Sequence, residues 1–340
     1  MTLGQRLACL TPAWPPVFSI ESIHVPLPSH GEVVVRVEAS AVNPIDAKRA
    51  SGYGRRLLGL KGAGKFPLVL GNDLAGRVES VGKGVTAWRP GDRVMGLLPT
   101  GKGGTYATHV AVDARWLRQA VNGYDPRQLS VFPYTFTTLW QSLRTAGISE
   151  RNAKGLEILV YGASGGLGQL ALQVLAHWGA SVTAICSTAN IELCRSLGAT
   201  VVWDRTRRPL SELPYQYDAV LNFGAWQDEE VLIGRLKAGA IGYATTVHPL
   251  LSNFDSEGWL LGAWRTLRDL RRTKAMVADK GARYGWVVFK PEEEALDALT
   301  RMLSENALAL PVGAAVPLSD AKLAFEHVAG QRSGRAVLLP

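Results

Sequence analysis

The sequence predicts an α/β protein in which a doubly wound parallel sheet is joined to a second, β-rich domain. Three observations carry this. At 340 residues the chain is longer than one ordinary domain, so two domains sharing a cleft are expected. Its N-terminal third reads as short valine-rich runs cut by glycine and proline, with no long helix-period pattern. From Pro126 onward, β-branched runs alternate with runs of helical period, the pattern of a parallel sheet wrapped by helices. A hydrophobic fraction of 47% with 19% charged residues excludes a disordered chain.

In the β-rich part, strands are expected at 32–37 and 74–81, a third entered through Gly91-Asp92-Arg93-Val94, and a fourth at 105–112. A helix follows at 128–146, where the period changes. Then come strand 157–161, helix 168–178, strand 181–186, helix 190–197, strand 200–203, strand 219–223, helix 229–236 and strand 242–247. The stretch 259–280 is an amphipathic helix with Leu260, Trp264, Leu267 and Leu270 on its apolar face. Strand 286–289 and helix 292–303 precede a tail that returns to strand, a helix capped by Ser319, and strand.

Residues 158–191 contain no Asp, Glu, Lys or Arg, and a plain hydropathy scan marks them as membrane-spanning. Gly162, Gly165, Gly166, Gly168, His177 and Gly179 interrupt them, and the run divides into strand, glycine turn and helix. It reads as a buried β-α-β unit, because strands covered on both faces are continuously apolar. The apolar run at the N-terminus is too short for a secretory signal, and no transit-peptide pattern stands out. The expected compartment is the cytoplasm, or the mitochondrial matrix for a mature form.

Three cysteines, Cys9, Cys186 and Cys194, are too few for a disulfide framework and lack C-x-x-C spacing. A cysteine-built zinc site is therefore not expected, and a reducing compartment is favoured. The six histidines form no metal-ligand pair, and no metal is expected. The net charge of +8 concentrates at 48–65, through Lys48, Arg49, Arg55, Arg56, Lys61 and Lys65, and at 265–283. Such surface either attracts phosphates or acidic lipid, or is simply a solvated face. No nucleic acid is expected, because no motif with interleaved stacking aromatics accompanies the charge.

The sharpest chemical signal is Ile158-Leu159-Val160-Tyr161-Gly162-Ala163-Ser164-Gly165-Gly166-Leu167-Gly168, which leaves a strand and opens a helix. In that context, closely spaced glycines bring backbone up to a pyrophosphate, and the helix N-terminus offers unpaired N–H groups and a positive dipole. Ser164, Gly165, Gly166 and Leu167 are expected to hold a dinucleotide in a Rossmann arrangement. An NAD enzyme typically has Asp or Glu about 20 residues further on, bonded to the ribose 2′-OH. Here the next strand ends in Cys186-Ser187-Thr188. No acid stands there to repel a 2′-phosphate, and Ser187 and Thr188 can donate to one, so the expected cofactor is NADPH. Arg205 either adds a charge-assisted bond to that phosphate or is a solvated loop arginine. Asn222 and Gly224 end a strand at the carboxyl edge of the sheet, where ligands of such sheets bind.

Four further motifs accompany these residues: Asn43-Pro44-Ile45-Asp46, Gly71-Asn72-Asp73-Leu74-Ala75-Gly76, Val81-Gly82-Lys83-Gly84-Val85 leading to Gly91-Asp92-Arg93-Val94, and Gly334-Arg335 before the last strand. In this order and spacing the chain resembles the medium-chain dehydrogenase/reductase superfamily over essentially its full length. The resemblance implies a GroES-like catalytic domain at 1–127 and 292–340 and a Rossmann NADPH domain at 128–291. Zinc-dependent members carry Cys and His where this chain has Asn43 and Asn72, and a second Cys near Tyr134. Their cysteine-rich lobe is missing here. The chain is thus similar to the zinc-free branch of quinone oxidoreductases and enoyl reductases. Within it, Asn43-Pro44-Ile45-Asp46 with Ala50-Ser51-Gly52-Tyr53-Gly54, the segment 283–289 and the insertion before it look most like the mitochondrial reticulon-interacting NADPH oxidoreductases.

That resemblance implies hydride transfer, without metal, from the nicotinamide to a quinone or an α,β-unsaturated carbonyl. Tyr53 stands where related enoyl reductases keep a tyrosine over the nicotinamide, and is either a proton donor or an aromatic that shapes the cleft. Asn43 either bonds the nicotinamide ribose or substrate oxygen, or caps a turn. Thr138 matches a threonine near the nicotinamide, with helix packing as the alternative. Val287 and Val288 lie on a strand that in the family abuts the nicotinamide and pairs with a second subunit, so a homodimer is expected. Arg335 stands where the family commonly has a Lys near the cofactor, or is a surface arginine. Two other functions stay open. One is reduction of enoyl thioesters, with residues 48–65 meeting coenzyme A phosphates. The other is an NADPH-binding protein with little catalysis, using helix 259–280 to engage an acidic membrane surface or a partner.

Overall fold

The computed structural model describes residues 3–214 and 216–340; Met1 and Thr2, the start of the N-terminal stretch read above, lie outside them. The chain forms two compact units. One takes the chain up to Thr137 together with Lys290–Asn306 and Leu310–Pro340, and the other takes Thr138–Phe289 and Ala307–Ala309.

The second unit is a six-stranded, wholly parallel sheet. Across it run Val201–Asp204, Ser181–Cys186, Glu157–Tyr161, Ala219–Asn222, Gly242–Thr245 and Arg283–Trp286. Its central strands are continuously apolar because helices cover them, and Leu159, Ile185, Val220, Leu232 and Tyr243 share one core. The strand order reverses beside Glu157–Tyr161, whose chain leaves through Gly162 into the helix Gly166–His177. The charge-free run 158–191 is therefore a buried β-α-β unit. Among the described residues no helix is long and apolar enough to cross a membrane.

The first unit is built on Glu32–Val42, an eleven-residue strand that serves three partners. Along one edge it pairs antiparallel with Asp73–Val81. On the other, its first half pairs with His109–Asp113 and its last residues with Arg335–Leu339, which in turn lies parallel to Val312–Pro317. Arg93–Leu97 and Leu117–Gln119 continue the sheet beyond Asp73–Val81. Three strand ends thus converge where Glu32–Val42 runs into the helix Pro44–Ala50, and they carry Asn43, Asp73 and Arg335 to one corner.

Several local expectations are corrected. The single helix 128–146 is two, Pro126–Ser130 and Pro133–Thr145, because Pro133 has no N–H to continue the first. The strand at 32–37 runs on to Val42, and that at 105–112 is regular only over His109–Asp113. The last parallel strand is Arg283–Trp286 rather than 286–289, although Val287 N–H still bonds Thr245 O. Ser319 lies in a short turn, and Asp320 stands at the cap of the helix Ala321–Ala329. A hairpin of Leu3–Thr11 and Val17–His24 was not anticipated. The helix expected at 259–280 begins at Leu250, breaks at Gly258 (φ 78°, ψ −167°) and turns Leu260, Trp264 and Leu267 outward.

Candidate functional site

The corner of the first unit is a closed polar network. Asn43 is buried, and its amide nitrogen donates to Asp73 Oδ2 at 2.7 Å. Its amide oxygen accepts from Arg335 Nη2 and, at 3.4 Å, from Thr135 Oγ1. Arg335 Nη2 also reaches Thr135 Oγ1 at 3.2 Å, while its Nε is buried without a partner. The Asp73 carboxylate further accepts the Tyr134 N–H at 2.6 Å. The helix start is held by Asp46, whose carboxylate accepts the N–H groups of Asn43 and Gly71. The Asn43 side chain is therefore free for the network.

Burial raises the Asp73 carboxyl from its ordinary 3.8 to about 7, against the Tyr134 N–H, the Asn43 amide and the Arg335 charge. This corner can hold a proton near neutrality and set a cation beside an amide. Arg49 belongs inside as well: counted with the basic surface at 48–65, it is instead buried, with its charge acting on Asp46.

The residues standing at the zinc-ligand positions do not fit that metal. Asn43 turns its nitrogen to a carboxylate, and Asn72 donates to Leu98 O at 2.8 Å. Neither offers a thiolate or an imidazole, and the amide oxygen of Asn43 is already engaged.

A dinucleotide diphosphate, by contrast, fits the turn that opens the helix Gly166–His177. A Cβ on Gly168 would lie 2.3 Å from the Gly162 carbonyl oxygen, and one on Gly162 (φ 78°) 2.9 Å from Gly224 N. Two glycine turns therefore press together, as only residues without side chains can. Gly165 is the N-cap and provides no capping side chain, so the first-turn N–H groups need a partner from outside the helix. Ser164 lies half-buried in that turn, with its carbonyl held by Gln169 Nε2 at 2.8 Å.

At the end of the neighbouring strand the structure adds a group that the sequence reading had not weighed. Thr188 Oγ1 donates to Asp204 Oδ2 at 2.6 Å, so an acid stands beside the residues expected to take a 2′-phosphate. The Thr188 hydroxyl, the Thr206 N–H and the Arg207 charge hold Asp204 below the usual carboxylate range. Ser187 Oγ accepts from Asn190 at 3.0 Å and keeps its own proton to give. Arg205 is exposed, with its N–H on Cys186 O, and its charge acts on Tyr161 and Cys186.

Other expected residues are more inwardly committed. Asn222 donates to Ala225 O and to Glu229 Oε2 and accepts from Gly224 N–H, so its amide closes its own turn. Thr138 is buried, and its carbonyl accepts the Ser142 hydroxyl. Val287 is buried, with its carbonyl on His248 Nε2 at 3.0 Å, while Val288 is exposed. Tyr53 sits in the turn after Pro44–Ala50, with the Lys48 ammonium 5.5 Å from its ring centre. Sequence reasoning missed the roles of Asp73, Asp204 and Glu229. Asp73 stood in a quoted motif, and the apolar run Leu74-Ala75-Gly76 that follows it was the signal that it is buried.

Residues 29–121 match the alcohol dehydrogenase GroES-like domain. The chain is 32% identical over 330 residues to the mitochondrial NAD(P)H oxidoreductase RTN4IP1 of Mus musculus, covering 93% of this chain and 82% of the relative. It is 29% identical over 276 residues to the 2-methylene-furan-3-one reductase of Solanum lycopersicum, covering 78% and 69%. In fold it is similar to the quinone oxidoreductase of Coxiella burnetii, with a TM-score of 0.83 at 22% identity over the full length of both chains.

Proposed function

Since the chain belongs to the RTN4IP1 branch of the medium-chain dehydrogenase/reductase superfamily, we propose that this NAD(P)H oxidoreductase reduces a quinone or an α,β-unsaturated carbonyl. The observation that carries the proposal is the Asn43–Arg335–Asp73 corner. It offers an amide, a cation and a titrating carboxyl at the position where a zinc-dependent relative would polarise an alcohol. Such a set favours an acceptor whose oxygen gains negative charge, and it does so without metal.

When bound, the cofactor supplies the hydride. The turn Ser164–Leu167 and the close-set Gly162 and Gly168 bind its diphosphate, and Ser187 with Arg205 favours the 2′-phosphate of NADPH over the 2′-hydroxyl of NADH. Thr138, Asn222, Gly224, Val287 and Val288 border the remainder of the cofactor. Arg335 and Asn43 stabilise the developing oxyanion, and Tyr53 gives it a proton. For a quinone the balance is one hydride and one proton taken up to give the hydroquinone. The unit built on Glu32–Val42 is the catalytic domain, and the parallel-sheet unit is the cofactor domain. The open edge of Arg283–Trp286 is the dimer contact, which light scattering tests. The mitochondrial relatives support a mitochondrial location over a cytoplasmic one, which cell fractionation tests.

The deciding experiment follows NADPH consumption with a soluble quinone and an enoyl-coenzyme A offered in parallel, with NADH as the cofactor control. Turnover of the quinone supports the proposal. Turnover of the thioester alone replaces it with enoyl-thioester reduction. Silence with every acceptor, beside tight NADPH binding, leaves a binding protein with little catalysis.

A further inference from the structure

Beyond Gly258, the helix Leu250–Ala278 has its polarity inverted. The residues it buries are Gly262, Thr266, Thr273 and Val277, spaced four, seven and four apart along one stripe. On the opposite stripe, Leu260, Trp264 and Leu267 are 91%, 56% and 50% exposed. A helix that served only to cover the sheet would place these large apolar groups inward. Leu261, next to Leu260, is exposed as well, so four large apolar groups of one helix face away from the core.

Charge identifies what this surface fits. The exposed charged residues of the helix are Arg268, Arg271, Arg272 and Lys274, all cationic, with Arg272 paired to Glu230. Arg268 leans over the Trp264 ring at 5.2 Å, which joins the basic and apolar parts into one face. Its acids are more withdrawn: Asp269 pairs with Arg268, and Glu257 with Arg265. A second copy docked here would oppose like cations to like. Lipid phosphates complement them, and Trp and Leu beside Arg and Lys is the composition of helices that lie in a membrane interface. The helix is not apolar enough to cross a bilayer, so it would lie along it.

We propose that this helix docks the protein on an anionic membrane surface. Leu260, Trp264 and Leu267 enter the headgroup layer, and Arg268, Arg271 and Lys274 meet lipid phosphates. The inference does not rest on the proposed reaction, since none of these residues belongs to either part of the proposed site.

The test is flotation of the intact protein with vesicles of phosphatidylcholine mixed with phosphatidylglycerol, beside vesicles of phosphatidylcholine alone. Binding is expected to the anionic vesicles only, to fall with added salt, and to weaken about fivefold for each cation removed in Arg268→Gln, Arg271→Gln and Lys274→Gln. Leu260→Ser with Trp264→Ser is expected to abolish it while NADPH binding, the check on folding, is retained. Equal binding to both vesicles, no binding to either, or binding unmoved by the variants overturns the proposal. So does light scattering in which the apolar variants halve the mass, since a second copy would then own the face.

Discussion

Arg335 donates through Nη2 to the amide oxygen of Asn43, a bond between residues 292 positions apart. They are neighbours because Ala336 lies opposite Val42 in the pairing of Arg335–Leu339 with Glu32–Val42. The same nitrogen reaches Thr135 Oγ1, and the charge acts on Asp73. Arg335→Met keeps the aliphatic stem and removes the fork. It is expected to lower stability by about 1.5–3 kcal/mol, the worth of hydrogen bonds to a charged group. Urea denaturation reads this, and an unchanged midpoint with unchanged slope would make Arg335 a solvated surface arginine. If Arg335 also stabilises an oxyanion, kcat falls more than cofactor affinity does.

Asp73 carries the pH prediction. Its carboxyl is raised from 3.8 to about 7, chiefly by burial. The folded protein therefore holds a proton that the unfolded chain releases at lower pH. The contribution of this group is fully present below its unfolded pKa and is lost as pH rises to about 7, beyond which it stays constant. One proton limits the slope to about 1.4 kcal/mol per pH unit. Asp73→Asn cannot titrate, so the difference in stability between wild type and variant should change across that window and be flat above it. A difference that is flat throughout would mean that Asp73 titrates near its ordinary value in the fold.

Most of the parallel sheet was legible because its strands are buried on both faces. Strands 157–161 and 181–186 were predicted at the bounds they have, since continuous β-branched runs flanked by glycine admit little else. The corner of Asn43, Asp73 and Arg335 was only half legible. Local pattern marked each motif, but their meeting depends on which residues of Glu32–Val42 pair with which partner strand, and register between distant strands leaves no trace in a single motif. Asp204 was hidden for a similar reason, because it reaches Thr188 from the next strand rather than from the end of Ser181–Cys186. The helix after Gly258 was legible as amphipathic, with its apolar face left open as a contact surface, and the structure turns that face outward. Periodicity shows that a helix has an apolar side without showing that this side faces the core.

The pair Asp204 and Arg205 makes the choice of cofactor testable. Asp204 is ionised and held against Thr188, while Arg205 is exposed one residue later. A 2′-phosphate near Thr188 would be repelled by the one and attracted by the other. Arg205→Ala is expected to weaken NADPH binding by about 1.5–3 kcal/mol and to spare NADH. Asp204→Asn should act in the opposite sense, tightening NADPH relative to NADH. Binding titrations with both cofactors read the two shifts. Equal losses for both cofactors in Arg205→Ala would show that Arg205 does not read the 2′-phosphate.

Glu229 ties the carboxyl edge of the parallel sheet together. Its Oε2 accepts from Asn222 at 2.7 Å and Tyr243 at 2.8 Å, and its Oε1 from Tyr284 at 2.7 Å. Three donors converge on one buried carboxylate, and Asn222 passes the constraint on by accepting the Gly224 N–H. Gly224 lies against the turn at Gly162, so the support reaches the glycines proposed to hold the diphosphate. Glu229→Gln keeps the volume but turns an NH2 group toward at least one of those donors. It is expected to cost about 1–3 kcal/mol of stability, the penalty for a buried polar group left unpaired. If the edge also positions the cradle, cofactor affinity falls with it, and Tyr284→Phe, which removes one donor, restores part of both losses in the double variant. Additive losses in that double variant would show that Glu229 and Tyr284 act independently and that the edge does not work as one unit.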